Sequence, residues 1–195
     1  DATSALSAIA ETVLQVDPSS LDFGEVGKNS SKTMTFRAYN SGGGTLSGTV
    51  SDNRDWISVS STNFEGNDNT IYITIDTHGL SESLSPYTGT VALASNSGTK
   101  TVDVSVTVIP IGAVAYPNSF SLSGHTSLTF WGTSVPNAKI EIYSLTGELV
   151  KALEEKYGAS ELFWDGTNQR GVRVTPGIYI VRMGPGIIVR IAIIK

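Results

Sequence analysis

The 195-residue chain has no cysteine, a formal net charge of −5 and only 16% charged residues. That excludes disulfides, thiolate metal sites and a cysteine nucleophile, and the scattered lysines and arginines give none of the basic patches that nucleic-acid binding needs. No apolar run reaches the roughly 18 residues of a membrane-spanning helix, so no span is expected. Residues 1–11 (DATSALSAIAE) stand apart: Ala/Ser-rich, without Gly or Pro, with Leu6, Ile9 and Val13 at a spacing that suits one or two helical turns. The opening Asp1-Ala2-Thr3-Ser4-Ala5 reads as a mature end left by signal cleavage.

From Thr12 onward the pattern is β. Residues 12–16 are strand-like, Pro18-Ser19-Ser20 makes a turn, and 33–39 (TMTFRAY) alternates with period two. Further strands are predicted at 46–50, 56–59, 71–75, 90–94 and 101–109, separated by clusters such as Asn40-Ser41-Gly42-Gly43-Gly44 and Asn96-Ser97-Gly98. This spacing of short strands indicates a sandwich. Pro110-Ile111-Gly112 breaks the pattern, and a second series follows at 127–131, 139–144, 149–152, 160–164, 177–183 and 187–194. Halves of roughly 80–100 residues each suffice for an independent core. The fold expected is all-β: two tandem immunoglobulin-like β-sandwich domains, 14–110 and 111–195, behind a short tail, 1–13.

Each half carries motifs of a known family. Leu14-Gln15-Val16-Asp17-Pro18-Ser19-Ser20-Leu21-Asp22-Phe23-Gly24, Asp55-Trp56-Ile57-Ser58-Val59 and Tyr87-Thr88-Gly89-Thr90-Val91 give 14–109 a resemblance to BACON-type bacterial Ig-like domains and the related ASH modules. The resemblance implies a β-sandwich of secreted, often multidomain proteins, with carbohydrate binding suggested for the family. Tyr116-Pro117-Asn118, the 140–148 segment (IEIYSLTGE), Phe163-Trp164-Asp165-Gly166 and Gly177-Ile178-Tyr179 make 115–195 similar to the Ig-like domain of flagellar hook-capping proteins and to type IX secretion C-terminal domains. The chain departs from that second pattern at Ser119, where a proline is usual, and in its apolar final strand.

Catalytic chemistry finds no motif. His78 and His125 each sit in a polar turn, with no serine or carboxylate at triad spacing, and a nucleophile needs an activating base within reach. The acidic groups Asp52/Asn53/Asp55 and Glu65/Asn67/Asp68 lack the spacing of a calcium loop and read as turns that satisfy their own backbone. No enzyme, metal or cofactor is therefore expected. Of the tryptophans, Trp56 and Trp164 read as core, and Trp131 is the candidate ligand aromatic. The last strand, Ile187–Ile194, is nearly uncharged; continuously apolar strands are normally buried on both faces, so a central position is expected for it.

The functional expectation is a non-catalytic extracellular protein of the cell surface. It would be a subunit that assembles with copies of itself into a filament, pilus-like fibre or surface layer, with Leu6, Ile9, Val13 and Leu14 as candidate contacts in a neighbouring subunit. The alternative is a carbohydrate-binding or adhesion module whose second domain serves export or attachment.

Overall fold

In the computed structural model, residues 11–184 and 186–195 are described, and every regular element among them is a strand. The chain divides into two compact units between Val108 and Ile109.

The first unit contains β1 (Leu14–Asp17), β2 (Ser20–Gly27), β3 (Ser31–Asn40), β4 (Ser47–Asp52), β5 (Ile57–Val59), β6 (Asn63–Glu65), β7 (Asp68–Asp76), β8 (Tyr87–Ser95) and β9 (Gly98–Ile109). They form two sheets, ordered β1-β3-β7-β5 and β2-β9-β8-β4-β6. Alternation explains the packing: Phe36 and Ala38 on β3, Ile71, Ile73 and Ile75 on β7, and Val102, Val104 and Val106 on β9 all turn inward, and all are buried. Gly48 is needed where β4 meets its neighbours, because a Cβ there would lie 2.4 Å from the Ala94 carbonyl oxygen.

The second unit contains β10 (Val114–Tyr116), β11 (Ser119–Ser121), β12 (Leu128–Trp131), β13 (Lys139–Ser144), β14 (Leu149–Glu154), β15 (Glu161–Trp164), β16 (Gly177–Met183) and β17 (Ile187–Ile194). Its sheets are β10-β12-β15 and β11-β17-β16-β13-β14. The core gathers Phe120, Leu128, Phe130, Ile140, Ile142, Trp164, Val181 and Ile191. The Trp164-Asp165-Gly166 segment locks one corner. Trp164 is buried and donates its indole N–H to the Thr167 carbonyl at 2.8 Å, Asp165 accepts from the Thr167 amide at 3.0 Å, and Gly166, at φ 74°, lets the Phe120 ring approach.

Both units start with a strand that changes sheet at a proline. β1 lies in one sheet and β2, beyond Pro18, in the other; β10 and β11 are divided in the same way at Pro117. The second strand of the pair is 8 residues long in the first unit and 3 in the second.

β17 departs from expectation. It does lie between β11 and β16, but β11 pairs only with Ala192, Ile193 and Ile194. Its inward residues Ile191 and Ile193 are buried, whereas Ile188 is 68% exposed. The strand is thus central in its sheet, as expected, but buried on one face rather than both, because no second layer among the described residues lies on its outer face.

A candidate binding face on the second domain

β12 alternates cleanly. Leu128 and Phe130 point into the core, so Thr129 and Trp131 point out. β15 follows the same rule, with Trp164 inside and Glu161 and Phe163 outside. On β10, Ala115 packs on the core while Val114 and Tyr116 face solvent. Register brings the outward residues into two rows. Val114, Trp131 and Glu161 are direct neighbours in one, and Tyr116, Thr129 and Phe163 in the other.

Directly opposed residues in an antiparallel pair have Cβ atoms about 5 Å apart, and diagonal neighbours about 7–8 Å. Trp131 is therefore diagonal to both Tyr116 and Phe163, and the rings share a patch about 10 Å across. Phe163 is 56% exposed, Tyr116 69% and Val114 40%; Trp131 is mostly buried. Among the described residues, neither the Trp131 indole N–H nor the Tyr116 hydroxyl has a protein hydrogen-bond partner, so both are free to bond a ligand. Glu161 supplies the only charge on these two rows. An exposed apolar patch with polar groups at its edge is the usual mark of an interaction site.

Trp131 was the ligand aromatic expected from sequence; Tyr116 and Phe163 were not. Their alternation with Ala115 and Trp164 was readable, but the register uniting three strands was not.

The other expected contacts are placed differently. Leu6 and Ile9 lie outside the described residues. Leu14 is a correction: it is buried in its own domain, paired opposite Asn40 on β3, with its N–H donated to Ser97 Oγ at 2.7 Å. Val13, though 42% exposed, is also held in its own chain, its N–H bonding Asn40 Oδ1 at 2.8 Å and its carbonyl accepting from Ser41 at 3.0 Å. The physical reason is Gly42, whose missing side chain admits the Glu11 carbonyl to a place where a Cβ would be 2.1 Å away.

A concavity of about 650 Å³ lies on the first domain between Arg54, Trp56, Asp76, His78 and Tyr87. Its polar groups serve the loops around it: Arg54 Nε donates to the Thr88 carbonyl at 3.2 Å and the Tyr87 hydroxyl to the Ser81 carbonyl at 3.0 Å. His78 Nδ1 lies 2.6 Å from Asp76 Oδ1. The His78 backbone N–H, then its ring, hold the Asp76 carboxyl below its ordinary pKa. His125 accepts the Ser121 N–H at 2.8 Å and stacks on Phe120. Asn53 and Asn67, two of the expected turn residues, accept the N–H groups of Thr90 and Leu46.

The family comparison bears on the first domain. Residues 13–108 match the viral BACON domain. No curated protein matches the chain. Among solved structures it is similar to PorZ, a surface component of the type-IX secretion system of Porphyromonas gingivalis, at 20% identity over 54% of this chain and 15% of that one, TM-score 0.38. A Bacteroides ovatus GH5 xyloglucanase in complex with a heptasaccharide aligns at 18% identity over 71% of this chain and 30% of its own, TM-score 0.40. A Porphyromonas gingivalis protein of unknown function aligns at 13% identity over 92% and 97%, TM-score 0.43. The chain thus spans well under two thirds of the first two. The BACON-like domain and its companion are both Ig-like β-sandwiches.

Proposed function

We propose that this chain is a non-catalytic, extracellular module of the cell surface that binds polysaccharide through the outward face of β10, β12 and β15. The observation that carries the reading is the gathering of Tyr116, Trp131 and Phe163 on one face of a three-stranded sheet. Sugar rings present flat C–H faces, which pack on aromatic rings, while their hydroxyls take up the indole N–H and the phenol. Two strand spacings, about 10 Å, separate the outer strands, a distance close to the length of a disaccharide. The absence of lysine or arginine from the two rows favours a neutral polysaccharide over an acidic one.

The test is depletion of the protein from solution by insoluble cellulose, chitin, xylan and mannan. Retention on at least one, reduced in Trp131→Ala and Phe163→Ala, is the expected result. Failure to bind any of the four, or equal binding by both folded variants, would overturn the reading.

A second reading, self-association, is favoured by a separate observation: the uncovered edge of β17 beside an exposed Ile188. Exposed strand edges with apolar side chains are templates for pairing with another chain. In that reading the partner is a copy of this chain.

A further inference from the structure

The two outward rows of β10, β12 and β15 differ in make-up. One runs Tyr116–Thr129–Phe163, with an aromatic ring at each end and a hydroxyl between them. The other runs Val114–Trp131–Glu161, apolar at one end, aromatic in the middle and anionic at the far end. Adjacent strands lie about 4.8 Å apart, so each row is about 10 Å long, and the rows are about 7 Å apart, two residues along the strands. The three rings therefore stand at the corners of a triangle and not on a line. Tyr116 and Phe163 are about 10 Å apart across two strand spacings, and Trp131 lies about 8 Å to the side of each.

A single unbranched glycan is linear, so it cannot cover all three corners. Laid along the first row, it meets Tyr116, 69% exposed, and Phe163, 56% exposed, two sugars apart, with the Thr129 hydroxyl beneath the sugar between them. Trp131 and Glu161 then stand at its flank. We infer that this second row takes a second chain, lying beside the first in a packed, insoluble polysaccharide. This rests on the polysaccharide-binding reading and names the physical form of the polysaccharide. The second row has the groups that a neighbouring chain needs. The exposed part of Trp131 packs on a sugar ring and its indole N–H donates to a hydroxyl, while the Glu161 carboxylate accepts from hydroxyls. The row is as long as the first, about 10 Å, which matches a chain and exceeds a one-sugar branch. The sheet ends at β10 on one side and β15 on the other, so no further strand of it flanks the rows. A lone soluble chain must give up conformational freedom to lie on such a face, whereas a chain in a packed solid is already ordered and avoids that cost.

Binding of the full chain to one sugar in two physical forms tests this. The solid is whichever of cellulose, chitin, xylan and mannan retains the protein. The soluble probe is the matching unbranched hexasaccharide: cellohexaose, chitohexaose, xylohexaose or mannohexaose. The hexasaccharide is expected to bind at least ten-fold more weakly than the solid, or not measurably. Trp131→Ala should weaken retention on the solid at least ten-fold, and any loss on the hexasaccharide should be at least five-fold smaller than that. Tyr116→Ala, on the first row, should weaken both. Should Trp131→Ala fail to fold, Glu161→Gln, on the same row, carries the same comparison with a loss of about three-fold. Retention on none of the four solids would overturn both this inference and polysaccharide binding. Three outcomes would overturn the packed-chain inference and leave polysaccharide binding standing. These are a hexasaccharide bound as tightly as the solid, a Trp131→Ala that loses equally on both or on neither while Phe163→Ala loses retention, and Trp131-dependent displacement by soluble galactomannan, which would give the second row to a branch.

Discussion

Truncating Trp131 separates a binding face from an ordinary patch of sheet surface. A tryptophan side chain can bury up to about 250 Å². Trp131 is already mostly buried against its own domain, which leaves at most about 80 Å² for a sugar ring to cover, given that total. At about 25 cal/mol per Å², Trp131→Ala removes at most about 2 kcal/mol of contact. That weakens a dissociation constant by up to about 30-fold, since each 1.4 kcal/mol is about a factor of ten. Depletion isotherms on the polysaccharide retained best measure this directly, with the near-ultraviolet circular dichroism of each variant as the fold control. Trp131→Tyr should recover most of the affinity, because it keeps a ring and a donor. Phe163→Ala, at the diagonal position, should lose about as much as Trp131→Ala, because its smaller ring is 56% exposed. A folded Trp131→Ala that binds as the parent does would refute the assignment, as would a Trp131→Tyr as weak as the alanine variant.

The sandwich class was legible because alternation is local. The run Ile71, Ile73, Ile75 announces a buried face of β7 without any knowledge of its partner, and all three are buried. The binding face was only partly legible. Trp131 stands out in β12 because Leu128 and Phe130 already occupy the other phase, but Tyr116 and Phe163 join it through register set by residues far apart in sequence. The β17 edge misled for a related reason. Ile187–Ile194 reads as fully enclosed, yet covering of its outer face depends on a second layer, and pairing along its edge on the length of its neighbour. β11, next to Pro117, ends after three residues. Leu14 reads as a candidate contact in a neighbouring subunit, whereas its pairing with Asn40 and the opening left by Gly42 place it in its own core.

Trp164→Ala should cost about 3–5 kcal/mol, as for other buried aromatic truncations, and unfold the second domain first in a thermal melt; a variant melting like the parent would remove Trp164 from its place at the centre of that core. Replacing both His78 and His125 by alanine should leave polysaccharide retention intact, with no reducing ends released by either protein; turnover in the parent that the double variant loses would overturn the non-catalytic reading. Glu155 is expected to give the second domain an acid-sensitive clamp. Its buried carboxylate accepts the N–H groups of Asn137 at 2.7 Å, Tyr157 at 2.7 Å and Gly158 at 2.9 Å, tying the loop after β14 to the turn before β13. Those bonds, the one from Asn137 foremost, favour the ionised form and hold its pKa below the ordinary glutamate value. A group depressed in the folded state stabilises it fully above its unfolded pKa, about 4.3, and that contribution fades as pH falls through the lower folded value. Glu155→Gln should therefore melt below the parent at neutral pH, with the gap narrowing once pH drops beneath about 4.3. A gap that stays constant from pH 7 to pH 3 would show that Glu155 holds the loop by shape and not by charge.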